Sequence, residues 1–299
     1  MEWEEILNMN MQSCMPPDPN TRTPAFKMPA KACDAHCHVF GPGDVFPYAA
    51  TRKYTPPDAP REKLRELHRI LGVERAVIVQ ASCHGTDNSA MLDAIALSGG
   101  AYRGVCNASA EFSDAEFERL HAGGIRGVRF NFVQHLGGAP DLAKMKKVVG
   151  KAKELGWHLV IHVDAEQLAE FEDLYASFDV PKVIDHMGRV PVSGGIHQKP
   201  FRILLRFMER DDFWVKVCGS ERISQAGPPF HDAVPNALAL IDAAPDRILW
   251  GTDWPHPNIK KFMPNDGDLV DLVPLFARDA AVQRKLLVDN PNRLYRFDD

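Results

Sequence analysis

The sequence of 299 residues has no long hydrophobic segment and no excess of basic residues. A membrane-spanning helix needs about 18 or more consecutive apolar residues, and no run in this chain is that long. The chain has 35 lysine and arginine residues against 40 aspartate and glutamate residues, which gives a formal net charge of −5. This balance argues against nucleic acid or an anionic membrane as a partner. It does not argue against a small anionic substrate, because a few arginines in a cleft can reverse the local potential.

Paired cysteines and a secretion signal are also missing. The acidic N-terminus lacks the basic region and the apolar stretch of a secretory signal. The cysteines form no Cys-x-x-Cys pair, and several lie in apolar runs, where cysteine behaves as a small core residue. The six are Cys14, Cys33, Cys37, Cys83, Cys106 and Cys218. These features predict a protein of the reducing cytoplasm.

Short β-rich runs alternate with helical patterns along most of the chain. The predicted strands are residues 32–40, 75–80, 102–108, 125–132, 157–163, 182–186, 213–218 and 247–251. Between two of them, residues 141–155 carry one apolar stripe at helical spacing. Short runs of Val, Ile and Leu separated by helices are typical of buried parallel strands.

Eight such units predict an α/β fold, a single (β/α)8 TIM barrel over residues 32–299. Residues 1–31 contain a Pro-Pro pair and no strand pattern, and we expect them to form an N-terminal arm. No Gly-x-Gly-x-x-Gly motif follows the early strands, which disfavours a dinucleotide-binding fold.

Polar residues stand at the ends of several predicted strands, where such barrels carry their catalytic groups. The first strand ends with His36 and His38, which period-2 alternation places on the same side. The fifth ends with His162, the sixth with His186 and the eighth with Asp253. Imidazoles and a carboxylate from four strands suit a mononuclear zinc or manganese site.

Each of these residues has a simpler explanation when it is taken alone. A His-x-His pair occurs by chance, His162 and His186 could be hydrogen-bonded structural histidines, and Asp253 could cap a turn. Their shared position at strand ends is what indicates a site.

Five longer segments resemble the amidohydrolase superfamily, in particular the branch that contains 2-pyrone-4,6-dicarboxylate hydrolase and 4-sulfomuconolactone hydrolase. The segments are residues 34–42 (DAHCHVFGP), 79–88 (VQASCHGTDN), 127–132 (GVRFNF), 184–189 (IDHMGR) and 250–258 (WGTDWPHPN). The resemblance extends from about residue 24 to the C-terminus and is consistent with the barrel.

The resemblance implies roles for individual residues. Asp253 would be the general base that activates water, and His186 would polarise the lactone carbonyl or hold the water. The residues that would hold the carboxylates of the substrate are Tyr54, Ser82, Arg129 and Arg222. Guanidinium groups suit that task because they bind carboxylate or sulfonate through paired, charge-assisted hydrogen bonds. From the residues alone, Arg129 could equally form a salt bridge inside the barrel, and Arg222 could be a solvated loop charge.

The sequence departs from the pyrone dicarboxylate hydrolases at two places. Those enzymes carry a second arginine shortly after the position of Phe132, where this chain has Gln134, His135 and Leu136. We assign His135 to substrate binding. They also carry a tyrosine in place of His162 and work without a metal.

Because the ligand set is complete here, we expect one divalent ion, zinc or manganese. The expected ligands are His36, His38, His162 and Asp253, with His186 as a fifth ligand or a hydrogen-bonding partner. No lysine stands beside Arg129 at the fourth strand end, so a carbamylated lysine that bridges two ions has no candidate.

The expected activity is hydrolysis of a small anionic lactone from the catabolism of aromatic compounds. The missing arginine favours 4-sulfomuconolactone, which would open to maleylacetate with loss of sulfite, and 2-pyrone-4,6-dicarboxylate is the alternative substrate. A metal-dependent decarboxylase of the same superfamily is a second class, which release of carbon dioxide without ring opening would distinguish. A catalytically inactive barrel fits poorly, because it would not need ligands on four strands. No feature of the sequence indicates an oligomeric state.

Overall fold

The computed structural model describes residues 12–297, which contain eight parallel strands arranged as a barrel. Each strand pairs with the next one along the chain. The strands are β1 (Cys33–Cys37), β2 (Arg75–Val79), β3 (Tyr102–Cys106), β4 (Ile125–Asn131), β5 (His158–His162), β6 (Lys182–Ile184), β7 (Phe213–Lys216) and β8 (Ile248–Leu249). The predicted (β/α)8 architecture is confirmed, and all eight predicted strands are present.

Helices follow the strands and pack against them. The α-helices are α1 (Arg61–Leu71), α2 (Ser89–Ala96), α3 (Asp114–Ala122), α4 (Leu142–Glu154), α5 (Ala165–Glu170), α6 (Glu172–Ser177), α7 (Lys199–Met208), α8 (Ser220–Ile223), α9 (Val234–Ala243), α10 (Asp266–Asp271), α11 (Val273–Phe276), α12 (Ala280–Arg284) and α13 (Asn290–Tyr295). A π-helical turn spans Lys285–Asp289, and 3₁₀ turns span Ser82–His84, Gln134–Leu136, His186–Arg189, Val192–Gly194 and His231–Ala233. The helix predicted over residues 141–155 is α4, and Asp141 caps it by accepting hydrogen bonds from two backbone N–H groups.

The core has two parts. Inside the barrel, small side chains such as Val77, Val105, Val160 and Val183 form a buried cluster. A larger cluster contains apolar side chains of the strands and of the surrounding helices. The interior is therefore packed, as in other barrels of this type, and the space for a ligand lies at the strand ends.

The barrel closes between β1 and the segment after β8. The Ala35 N–H donates to the carbonyl of Trp250 (2.8 Å), and the Asp253 N–H donates to the carbonyl of His36 (2.7 Å). Gly251 permits this close approach, because a Cβ there would lie 2.5 Å from the backbone nitrogen of His36. This closure places Asp253 directly beside the histidines of β1.

The buried carboxylate of Asp34 stabilises the same junction between β1 and the segment after β8. It accepts hydrogen bonds from the backbone N–H groups of His36 and Thr252, each at 3.0 Å, and from the Thr252 hydroxyl at 2.6 Å. The Nε2 atom of His68, in α1, lies 3.2 Å from its second oxygen. These polar contacts offset the cost of removing a carboxylate from water. Asp34 therefore ties β1 to the segment that carries Asp253.

The described part of the N-terminal arm lies against the barrel domain. Gln12–Ser13 pairs in parallel with Tyr54–Thr55, and Arg22 lies within 2.7 Å of both Asp268 and Asp271. Residues 1–11 of the predicted arm lie outside the described residues. Between residues 12 and 297, no helix is both long enough and apolar enough to cross a membrane.

Candidate active site

The side chains of His36, His38 and Asp253 meet at the C-terminal end of the barrel. All three are buried, and one imidazole nitrogen from each histidine and one carboxylate oxygen lie within 4.8 Å of one another. The Oδ1 atom of Asp253 is 3.2 Å from His38 Nε2 and 3.5 Å from His36 Nε2. The structure thus brings together three of the five predicted metal ligands.

The surroundings of His38 prepare it to bind a cation. Its Nδ1 lies 2.7 Å from the carbonyl oxygen of Val79, and a carbonyl can only accept, so Nδ1 carries the proton. With the proton on Nδ1, the uncharged form of the ring presents a bare Nε2 lone pair to the carboxylate of Asp253. A cation between these two acceptors would satisfy both, and this arrangement is common among metal-binding histidines. The residues present therefore fit one divalent ion.

The other two predicted ligands, His162 and His186, line the same cavity. The Nε2 atom of His186 lies 3.9 Å from Asp253 Oδ1, and the rings of His162 and His186 are 5.4 Å apart. Both nitrogens of His162 are buried without a hydrogen-bond partner among the described residues, although His162 lies outside the compact group of three. Burial lowers the pKa of both histidines well below the usual value, so both rings are neutral.

Arg222 contacts the second oxygen of Asp253. Its Nε and Nη2 both contact Asp253 Oδ2, while Nη1 and Nη2 each lie 3.2 Å from the carbonyl of Pro257. Burial alone would raise the pKa of Asp253, but the positive charge of Arg222 holds it well below the usual value. Asp253 is therefore ionised at neutral pH. Arg222 is buried, and most of its donors are used by protein groups.

A buried ion-pair cluster adjoins His36. Asp185 Oδ1 lies 3.1 Å from Lys216 Nζ and 3.2 Å from His36 Nδ1, and Asp185 Oδ2 accepts a hydrogen bond from Arg129 Nε at 3.0 Å. Burial would raise the pKa of Asp185, but the charges of Lys216 and Arg129 keep it well below the usual value. Burial and the charge of Lys216 lower the pKa of His36 to about 3, so this ring is also neutral.

The residues predicted to bind substrate all line one cavity. Its lining comprises His38, Tyr54, Ser82, Arg129, His135, Leu136, His162, His186, Arg189, Arg222, Asp253, Pro257 and Asn258. Burial raises the pKa of Tyr54 well above the usual value, so its hydroxyl is a neutral donor. His135 lies in the turn after β4, where partial burial and the charge of Arg189 lower its pKa.

Arg129 and Arg189 have donors that remain free. Arg129 Nε donates a hydrogen bond to Asp185 Oδ2 (3.0 Å), and Arg189 Nε donates one to Asp164 Oδ1 (2.7 Å). The terminal nitrogens of both make no hydrogen bond with residues 12–297, and both residues line the cavity. Free guanidinium forks of this kind can bind a carboxylate or a sulfonate through two parallel hydrogen bonds.

Sequence reasoning does not identify three residues that the structure adds to the site, namely Asp185, Arg189 and Lys216. Arg189 comes three residues after His186, so the rule that places functional groups at strand ends could have found it. Lys216 ends β7 within the run FWVKVC, and a lysine inside an apolar strand is a signal, because lysine is almost never buried unless it is paired.

A second buried cluster lies behind Arg222. His256 Nε2 is 3.1 Å from Asp266 Oδ1, and His256 Nδ1 is 3.8 Å from Glu221 Oε1. The same Glu221 oxygen lies 3.6 Å from Arg222 Nε. Burial would lower the pKa of His256, but the two carboxylates raise it to about 10. His256 is therefore an imidazolium at neutral pH, and through Glu221 it supports the position of Arg222.

We expect His256→Gln to lower the free energy of unfolding by roughly 3 kcal/mol at pH 6, because the substitution leaves the buried carboxylate of Asp266 without its cation and leaves Glu221 with Arg222 alone. The pKa of His256 is higher in the folded state than in the unfolded state, where it is about 6.5. Its stabilising contribution is therefore complete below pH 6.5 and is lost as the pH rises through about 10.

Urea unfolding of both proteins at pH 6, 8 and 10 measures the difference, with the exposed His231→Gln as the control. If His256→Gln lowers the free energy of unfolding by the same amount at pH 6 and at pH 10, packing rather than charge accounts for the effect.

Comparisons with known proteins agree with this geometry. Residues 33–297 match a family model described as amidohydrolase. A 2-pyrone-4,6-dicarboxylate hydrolase of Comamonas testosteroni is 48% identical over 285 residues, which cover 92% of this chain and 93% of that protein. A 4-sulfomuconolactone hydrolase of Rhizobium radiobacter is 44% identical over 285 residues, which cover 94% of this chain and 95% of that protein.

A solved apo structure from Agrobacterium tumefaciens has the same fold, with a TM-score of 0.82 and 28% identity. The match covers 92% of this chain and 99% of that one. The family model spans the whole barrel, and two curated relatives exceed 40% identity over more than nine-tenths of the chain. The chain belongs to the amidohydrolase family.

Proposed function

We propose that this protein hydrolyses a small lactone that carries more than one anionic group. The observation that carries the proposal is the ionised carboxylate of Asp253 in a cavity that is also lined by Arg129, Arg189 and Arg222. A base and several guanidinium groups in one small cavity suit an ester substrate with acidic substituents. Relatives that are lactone hydrolases by name support the same activity.

Asp253 is the proposed general base. As water attacks the lactone carbonyl, Asp253 takes a proton from it, and the ring C–O bond breaks when the tetrahedral intermediate collapses. The electron pair of that bond leaves on the ring oxygen, which is then protonated. His186, whose Nε2 lies 3.9 Å from Asp253 Oδ1, would hold the water or polarise the carbonyl.

We propose that one divalent ion, zinc or manganese, is held by His36, His38, His162 and Asp253, with His186 as a fifth ligand or a hydrogen-bonding partner. Bound there, it would supply Lewis acidity for the carbonyl and make water easier to deprotonate. The buried, unpartnered nitrogens of His36 and His162 and the bare Nε2 of His38 support this assignment.

The anionic groups of the substrate would bind to the free forks of Arg129 and Arg189. Tyr54, Ser82 and His135 add neutral hydrogen-bond partners on the cavity wall. Arg222 is also assigned to substrate binding, and its contacts with Asp253 and Pro257 give it a second task, which is to orient the base. Fixing the acidic substituents orients the ester carbonyl toward Asp253.

Between the two lactones, we propose 4-sulfomuconolactone as the first substrate to test and 2-pyrone-4,6-dicarboxylate as the second. The relatives support the two equally. His135 is a weaker anion ligand than an arginine at that turn would be, which favours a substrate whose second anion is placed differently. Partial burial and the charge of the neighbouring Arg189 lower the pKa of His135, which favours the neutral ring.

The test is kcat/KM on both lactones for one preparation of known metal content. Ring opening of either lactone supports the proposal, and release of sulfite identifies the sulfonated one as a substrate. Turnover of neither lactone, together with carbon dioxide release from a related aromatic or muconate acid, would replace hydrolysis with decarboxylation.

A further inference from the structure

His36, in β1, and His38, directly after β1, differ in how their Nδ1 atoms are held. His38 Nδ1 faces the carbonyl of Val79, which can only accept, so its proton is fixed on Nδ1. His36 Nδ1 instead has two competing neighbours, the ammonium group of Lys216 at 2.9 Å and the carboxylate of Asp185 at 3.2 Å. One neighbour can only donate and the other can only accept.

The choice between these neighbours decides what His36 presents to the cavity. If Nδ1 donates to Asp185, Nε2 is bare and can bind a cation, as in carboxylate–histidine–metal arrangements. If Nδ1 accepts from Lys216, the ring proton lies on Nε2, which then points toward Asp253 Oδ1 at 3.5 Å as a donor. A protonated nitrogen cannot be a metal ligand.

The geometry favours Lys216. The contact between Lys216 Nζ and His36 Nδ1 meets hydrogen-bond geometry, whereas Asp185 Oδ1 makes no hydrogen bond among the described residues and takes part only in ion pairs. The Lys216 side chain is fully buried, so water does not compete for its donors. Asp185 also accepts a hydrogen bond from Arg129, so its carboxylate has a donor without His36.

We propose that Lys216 weakens the binding of a divalent ion at this site by favouring the tautomer of His36 that cannot be a ligand, so that His36 binds the ion only after its ring proton moves from Nε2 to Nδ1. The inference rests on the ion site of the proposed function. Lys216 is a positioning residue in this view, and it acts through His36. The buried ammonium charge opposes a second cation nearby, so both effects of Lys216 act in the same direction.

Two variants that break the same ion pair should change the affinity in opposite directions. Lys216→Met frees His36 Nδ1 to donate to Asp185, and we expect zinc and manganese to bind about 10- to 100-fold more tightly than to the wild type. In Asp185→Asn, Lys216 is the remaining charged neighbour of His36 Nδ1. We expect this variant to bind zinc and manganese more weakly than the wild type, by a factor of similar size. Calorimetric titration of metal-free protein with each ion measures both changes without an activity assay.

A buried lysine outside the site provides the matched control. Lys182, in β6, is as buried as Lys216 and forms an ion pair with Asp212. Neither Lys182 nor Asp212 is close in sequence to His36 or His38. We expect Lys182→Met to destabilise the fold without changing the affinity for the ion. An unchanged or lower affinity in Lys216→Met would overturn the inference, and so would wild-type and Lys216→Met proteins that both fail to bind.

His38→Ala separates failure of the inference from failure of the site. If His38→Ala binds the ion as the wild type does, the proposed site is wrong. If His38→Ala loses binding while Lys216→Met equals the wild type, only the role of Lys216 is wrong.

The wild-type protein offers a test that does not depend on a stable variant. In metal-free protein with ¹⁵N-labelled histidine, we expect the His36 resonances to show a proton on Nε2 and those of His38 to show a proton on Nδ1. A His36 proton on Nδ1 would contradict the inference.

Discussion

Replacing Asp253 with asparagine should lower kcat/KM for the lactone by about three to four orders of magnitude. The amide has the size of the carboxylate but cannot take a proton from water. It also removes the negative charge opposite Arg222, so that the buried guanidinium loses its ion pair. Measurement of kcat/KM together with thermal unfolding separates the loss of the base from a loss of stability.

The control for this prediction is Asp141→Asn, the same change at the exposed cap of α4. Asparagine caps helices about as well as aspartate, so we expect neither activity nor stability to change appreciably. If Asp253→Asn stays folded and keeps kcat/KM within tenfold of the wild type, another group must activate the water.

The architecture and the strand-end residues could be predicted because both depend on local pattern. Buried parallel strands are short apolar runs, and a polar residue at the end of such a run is easy to see, as with His36, His186 and Asp253. The predicted strands are too long at their C-terminal ends for a physical reason. The chain leaves the ladder to form the cavity, and His186 and Asp253 adopt left-handed backbone with φ of 51° and 65°.

The partners of these residues could not be predicted in the same way. Arg222 contacts Asp253 from 31 residues away, and Lys216 contacts His36 from 180 residues away. Such contacts depend on how the barrel closes, and closure depends on backbone bonds such as that from Asp253 to His36. Local periodicity carries no information about them. The sequence therefore indicates which groups are present, and the fold determines which nitrogen or oxygen each one meets.

Replacing Arg129 with methionine should lower kcat/KM for an anionic lactone by about 10²- to 10⁴-fold. Two charge-assisted hydrogen bonds of about 1.5 to 3 kcal/mol each would be lost, and each 1.4 kcal/mol corresponds to a factor of ten. The fold should survive, because Asp185 keeps the charge of Lys216 as a partner. The matched control is Arg126→Met, the same change at the other end of β4, where the side chain donates to backbone carbonyls.

A second substrate separates binding from general damage to the site. If Arg129 holds an anionic group, an ester analogue that lacks this charge gains nothing from the guanidinium, and wild-type and Arg129→Met enzymes should turn it over at similar rates. The free terminal nitrogens of Arg129 are the basis of this expectation, because only its Nε is used by Asp185. An equal loss on the charged and the uncharged lactone would mean that Arg129 acts by positioning Asp185 rather than by binding the substrate.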